Sequence, residues 1–545
     1  MSVNTDPIGS KYTIKELIYY LFFALMLTAK GIGLGLDFGQ KLYLLVLFVA
    51  FGLIIIKEMI TEHSLLEWIF IVGIVALSIL IYVHTDEIGI LVIVPTILGM
   101  KDVSPKRTLN LGCFLWAITF GLTMIVSLLG LKSDVIRVQD KLGLGYIIRW
   151  SLGQPHPNVL QISALVLCAF ILYIGAFKGR KLFVATFLML LFNFYIFMYS
   201  ISYTGIALAV MYLLLNLYFS MTSDRKMYLW EKVISVAIIP FCIVFSIAGP
   251  LVIKGRLFEL IDKAVNTRFK IAREYMTHNP VSLLGSGYCD LIEHSMNNLD
   301  CSYVFALMHY GIIIFILLFA AYIGLVVHLV KEEKRSELAI VLAMSIAAIT
   351  EPFFVNSSFK NITLIILGEY VYLVFGWINE KLKANNVTKV LGTSFSIIHK
   401  NIFDYGKKEV NLEIVSRIEN LLKELGESIK KNAKVIVPLA IGVGCVAAVL
   451  FATFAKMPEG YYVFRDSVQI FDPGVKLDIS NLPAEFNYKI LQYLDSEKPM
   501  YLVDGGAVRL EYVRGIVSMF FWCMLGTIGG LGAGFSIMNR KTEVR

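Results

Sequence analysis

Charge is scarce in this 545-residue chain: Asp, Glu, Lys and Arg make up 17%, apolar residues make up 57%, and mean hydropathy is +0.72. That composition excludes a soluble globular protein, whose core could not hide so much apolar side chain. Strict polar–apolar alternation in short segments is also missing, which excludes a membrane β-barrel; the apolar runs are continuous. The seven cysteines have no metal-ligand spacing, and five fall in apolar runs, where a thiol packs as a small hydrophobe. No solenoid repeat or low-complexity tract is evident, and the first apolar stretch is of spanning length without a cleavage site, so it is expected to stay as the first helix.

What the chain does contain is a succession of apolar runs, most of them near the roughly 20 residues that cross a hydrocarbon core as a helix. Fourteen spans are predicted, at 17–36, 41–56, 64–83, 88–100, 111–131, 158–177, 182–199, 204–221, 233–252, 303–330, 338–354, 362–378, 434–455 and 514–537. The fourth is short for a crossing and is expected to tilt, begin earlier or re-enter. With the N-terminus inside, every inside connection is basic: Lys57; Lys101, Lys106 and Arg107; Lys178, Arg180 and Lys181; Arg225 and Lys226; Lys331, Lys334 and Arg335; and Arg540 with Lys541. The opposite connections at 37–40, 84–87, 200–203 and 355–361 contain almost no cations. Both termini are therefore expected in the cytoplasm. The net charge of +8 is then a topology signal that calls for a lipid bilayer as partner and for no nucleic acid.

Residues 1–378 read as a polytopic body of about twelve helices, with two long outer loops at 132–157 and 253–302. Loops of that length are usually functional or disordered. Residues 379–433 read as a cytoplasmic linker. Within it, 411–430 keeps apolar residues such as Leu412, Ile418 and Leu425 at helical spacing beside Lys423 and Lys430, as in a helix lying on an anionic leaflet; a solvated linker helix is the alternative. Residues 434–545 read as two helices flanking an outer α+β module at 456–513, with strands near 461–464 and 500–503 and a helix capped by Asn481. Two cysteines of the second loop region, Cys289 and Cys301, are close enough in sequence for a disulfide in an oxidising exterior.

The two outer loops depart from the charge bias. The first holds Lys132, Arg137, Lys141 and Arg149 against Asp134 and Asp140, and the second opens with Lys254, Arg256, Lys263, Arg268, Lys270 and Arg273. Cations gathered there suit an anionic ligand, and a guanidinium fork binds two phosphate oxygens at once; solvated faces of interfacial helices are the alternative. The first loop ends in Gly153-Gln154-Pro155-His156-Pro157-Asn158, where two prolines fix the backbone and Asn158 is positioned to cap the next helix. The second ends in a flexible Gly285-Ser286-Gly287 turn, then Glu293-His294 and Asp300, whose carboxylates and imidazole are general-base candidates.

These motifs, in this order, carry a resemblance. The run Gly153 to Asn158 resembles the glycine-x-x-His-Pro-Asn signature of the O-antigen polymerase (Wzy-type) and O-antigen ligase superfamily. Ser202-Tyr203-Thr204-Gly205 is similar to its serine-arginine-threonine-glycine turn, with Tyr203 in place of arginine. Asn266-Thr267-Arg268, the Gly285 turn, Leu299-Asp300-Cys301-Ser302-Tyr303 and Thr350-Glu351-Pro352 follow the family pattern, Cys301 standing where it has asparagine. The resemblance covers about residues 15–378 and leaves the C-terminal unit without a family.

It implies an all-α, GT-C-like glycosyltransferase of a bacterial cytoplasmic membrane, lengthening a surface polysaccharide at the outer face from a polyprenyl diphosphate-linked oligosaccharide. It implies no cofactor and no required metal, and as partners a flippase and a chain-length regulator. Breaking the sugar–diphosphate bond in such a reaction puts negative charge on the leaving group, for which Arg149 and Arg268 are the leading contacts and Arg273 and Arg137 the next; His294, Glu293, Asp300 and Glu351 compete as base, and His156, Asn158 and Tyr203 are expected to position the substrate or the loops. A ligase using a different acceptor and a flippase of lipid-linked oligosaccharide remain open, although the internal repeat and deep intramembrane charges of a transporter are missing beyond Lys30 and Glu369.

Overall fold

The computed structural model describes residues 11–35, 39–128, 131–132, 135–141, 145–287, 299–384, 388–395, 404–411, 427, 431–454, 462–464, 492–495, 498–502 and 513–531. It is a mostly helical, multi-pass membrane protein. The helices are α1 (Ile14–Gly31), α2 (Gln40–Met59), α3 (Leu65–Thr85), α4 (Gly89–Leu98), α5 (Pro105–Leu128), α6 (Pro157–Gly175), α7 (Gly179–Ser200), α8 (Tyr203–Met221), α9 (Leu229–Val252), α10 (Gly255–Ala264) and α11 (Arg268–His278). They continue with α12 (Ser302–Phe305), which runs through a π-helical turn at Ala306–Tyr310 into α13 (Gly311–Lys331), then α14 (Arg335–Ala347), α15 (Thr363–Lys383), α16 (Lys389–Gly392), α17 (Ala433–Phe454) and α18 (Val513–Leu531).

Each of the fourteen expected spans falls on a helix. Among the described residues nine helices are long and apolar enough to cross a membrane, counting Ser302–Lys331 as one. The expected fourth span is the 10-residue α4, which contains Pro95 and extends only about 15 Å at 1.5 Å per residue. It packs between α3 and α15 in the interior, and its residues Ile90, Val92, Ile93 and Leu98 are buried.

Helices α6 and α14 are the most enclosed. Along α14 the run Leu338 to Met344 is buried without a break, whereas α2, α3, α7 and α9 leave Phe48, Val72, Phe187 and Phe241 outward. A helix with an apolar outer face is stable there only because lipid solvates it, so contacts between helices rest on close packing and polar pairs. Gly205 shows this: a Cβ there would lie 2.5 Å from Gln161, so its absence lets α8 approach α6.

The helix ends gather into two faces, near (where α1 starts) and far. At the near face β1 (Lys11–Thr13) pairs antiparallel with β6 (Glu409–Asn411), and β2 (His63–Ser64) with β5 (Ser394–Phe395), strapping the linker onto the body. The expected amphipathic helix at 411–430 lies almost wholly outside the described residues, as does the helix capped by Asn481. At the far face the first long loop is a hairpin, β3 (Ile136–Lys141) with β4 (Gly145–Trp150), and the second contains α10 and α11. In the C-terminal unit β7 (Tyr462–Phe464), β8 (Gln492–Asp495) and β9 (Lys498–Leu502) form a sheet in the order β7-β9-β8.

Candidate functional site

The far face draws together side chains distant in sequence. The chain leaves α7 in a left-handed turn at Ile201 (φ 39°) and starts α8 at once, so Ser200 to Thr204 crosses the end of the bundle as a tight bend. Arg149, at the end of the hairpin and 1% exposed, donates from Nε to the Ser200 carbonyl at 2.6 Å and from Nη2 to Asn158 Oδ1 at 2.5 Å. On the other side of the bend, Thr204 Oγ1 donates to Glu351 Oε1 at 3.4 Å.

Glu351 sits between α14 and α15, 5% exposed, and its carbonyl accepts from Ser302 Oγ at 2.6 Å. Arg268, 6% exposed, opens α11. It forms an ion pair from Nη2 to Asp300 Oδ2 at 2.8 Å and donates to the Thr350 and Asn266 carbonyls at 3.2 and 2.8 Å. Two left-handed residues, Asn266 (φ 54°) and Thr267 (φ 68°), turn the chain immediately before Arg268.

Burial pushes the Glu351 carboxyl up to about 7; Arg268, Thr204 and Lys360 pull it down, and Asp300 pushes with the burial. Burial also raises Asp300, against Arg268. Lys360, 5% exposed in the same connection, is drawn down to about 8 by burial, with Glu351 opposing. A carboxyl and an amine that both change charge near neutral pH are typical of sites that move protons.

The structure thus brings together Arg149, Asn158, Tyr203, Arg268, Asp300 and Glu351, and alters the details of several. The cap of α6 is His156, whose Nδ1 accepts from the Asn158 amide at 3.1 Å; Pro157 takes the first helical position and Asn158 turns to Arg149. Arg273 donates to the Pro250 and Ile253 carbonyls at 2.6 and 2.5 Å and lies 3.7 Å over the Phe258 ring, so it ties α11 to the end of α9. Tyr203 is 40% exposed and packs on Phe197. Arg137 stands opposite Arg149 in the hairpin register, while Glu293, His294 and Cys289 lie outside the described residues. Cys301 is a buried free thiol.

The Gly285 turn is fixed rather than flexible. Gly285 (φ 87°) and Gly311 (φ 77°) meet backbone to backbone, and a Cβ on Gly285 would lie 2.2 Å from the His309 carbonyl. Ser286 N donates to the Met308 carbonyl at 2.6 Å, so the loop docks into the π-helical turn; such turns concentrate at functional sites.

Lys360 is the residue that sequence reasoning passed over. Its signal was a lone cation in an outer connection otherwise free of them. No protein-family model matches the chain, and neither a curated protein nor a solved structure matches it; the reading of function rests on this geometry and on the motifs.

Proposed function

We propose that the protein is a GT-C-like glycosyltransferase that lengthens a surface polysaccharide at the outer face of a bacterial cytoplasmic membrane, using polyprenyl diphosphate-linked oligosaccharide as donor. The observation that carries this reading is the far-face placement of a buried guanidinium, Arg268, with two carboxyls, Asp300 and Glu351. The far face is taken as outer because the connections at the near face carry the excess of cations.

In this reading the acceptor hydroxyl attacks the anomeric carbon of the donor, the bond from that carbon to the diphosphate oxygen breaks, and the electron pair leaves with the diphosphate. Glu351 takes the hydroxyl proton. Arg268 faces the negative charge that builds on the leaving group; a preorganised donor of that kind accounts for roughly 10²–10³ in rate. Arg149 holds the bend at Ser200 and Asn158 in place, so it supports the site from behind.

The test is incubation of the purified protein in bilayers with lipid-linked repeat units, read as a gel ladder. Chain growth in the wild type, lost in Arg268→Ala and poorly restored in Arg268→Lys, is the expected result. Movement of the lipid across the bilayer without bond formation would replace the enzyme by a transporter.

A further inference from the structure

The far face contains a cation that the proposed reaction does not use. Lys360 is buried, yet among the described residues its ammonium makes no hydrogen bond and no ion pair; the charge it feels is that of Glu351. At 5% exposure the residue leaves its ammonium little water, and a charge so placed costs free energy until a partner is supplied.

The backbone holds it there firmly. Phe359 adopts φ 55° in the left-handed region, uncommon for a side chain of its size, and its ring packs on Phe22 and Phe23 at 6.1 and 5.6 Å. On the other side, Asn361 Nδ2 donates to the Phe354 carbonyl and to Tyr322 Oη at 2.8 and 2.9 Å, while its Oδ1 accepts from Thr363 N at 3.1 Å. Upstream, Tyr43 Oη donates to the Ser357 carbonyl at 3.2 Å. The segment around Lys360 is therefore pinned to α1, α2, α13 and α15, and a strained conformation of this kind persists only where its surroundings fix it.

We propose that Lys360 is a substrate-binding residue whose ammonium completes its coordination with an oxygen of a lipid-borne diphosphate, on the same face as Arg268 and Glu351. This rests on the glycosyltransferase reading for the choice of diphosphate. Lys360 would act as a point charge beside the two-pronged guanidinium, which divides the anion between a steering contact and an orienting one.

The test uses the full chain in nanodiscs of zwitterionic lipid, with polyprenyl diphosphate and inorganic diphosphate as probes and thermal midpoint as control. In Lys360→Met, affinity for polyprenyl diphosphate should fall by tenfold or more while the thermal midpoint stays level or rises, because an uncompensated buried charge has gone; Lys360→Arg should keep most of the affinity. Loss of affinity for both probes identifies the diphosphate itself as the recognised part; loss for the lipid alone identifies its lipid-borne form. Wild-type affinity in Lys360→Met with binding lost in Arg268→Ala would overturn the role of Lys360 alone. Binding unaffected by either substitution would overturn the diphosphate reading as well. A lowered thermal midpoint in Lys360→Met would assign the residue to structure.

Discussion

The two faces of the bundle differ in how completely they pair buried charge. At the near face Lys57, Glu58, His63 and Glu67 are all buried, and each has a partner. His63 lies between Glu58 and Glu67 at 2.8 and 3.1 Å, Lys57 donates to Glu58 at 3.3 Å and to the Lys101 carbonyl at 2.9 Å, and Glu67 also receives Lys101 and Asn379. Lys15 pairs with Asp102 at 2.5 Å and holds that carboxyl below its usual range despite the burial that raises it. At the far face the pairing is incomplete: among the described residues the Glu351 carboxylate has only the long contact from Thr204, and the Lys360 ammonium has none. A neutralised network fixes helix ends, whereas charge left uncompensated destabilises the free protein, and in the proposed function a ligand supplies its complement.

That contrast can be broken most severely at Glu351. Glu351→Gln removes the proposed base, and turnover should fall by roughly 10²–10⁴-fold in the gel-ladder assay with the protein still inserted. At the near face Glu67→Ala should act on stability instead: it takes from Lys101 its carboxylate, leaves His63 with Glu58 alone and should cost about 3–5 kcal/mol, read by thermal or denaturant unfolding, with turnover per folded molecule unchanged.

The pH dependence sharpens the same comparison. Glu351 must be ionised to accept a proton and is surrounded by Arg268, Asp300, Lys360 and Thr204, so the rate should climb as pH rises through about 7. Lys360 must be charged to hold an anion, so the rate should decline above about 8, and the bell should lose its alkaline limb in Lys360→Arg. Stability runs the other way on the acid side: because Glu351 is raised in the folded chain, the native state binds more protons than the unfolded one between about 4.5 and about 7, and stability falls as pH rises through that window. Glu351→Gln should flatten that slope.

The smallest effect belongs to the strap. Lys407 and Glu62 pair at 2.8 Å in the open, and Lys407→Ala should shift stability by no more than about 1 kcal/mol and leave turnover alone, as checked by unfolding and ladder assays.

Much of this arrangement could be read from the chain. Continuous apolar runs mark the helices because lipid demands them, and the motifs of the family resemblance include Arg268, Asp300 and Glu351, which the fold brings to one face. Three things were hidden. The hairpin at 136–150 has the charge pattern of a basic loop, and its strand signal, Ile136, Val138, Ile147 and the glycines at 143 and 145, is short because strand pairing depends on a partner. The strap was hidden because Lys11 and His63 meet strands more than 300 residues away. The burial of Lys57, Glu58, His63 and Lys360 is a tertiary property: near a helix end a charged side chain reads as solvated, and only packing shows that it is not.

One paired measurement addresses the contrast directly: turnover and thermal midpoint for Glu351→Gln and Glu67→Gln, prepared side by side in the same bilayers. Glu351→Gln should lose turnover and keep or raise its midpoint, whereas Glu67→Gln should lose its midpoint and keep its turnover. The same response from both variants would contradict the division of labour between the two faces.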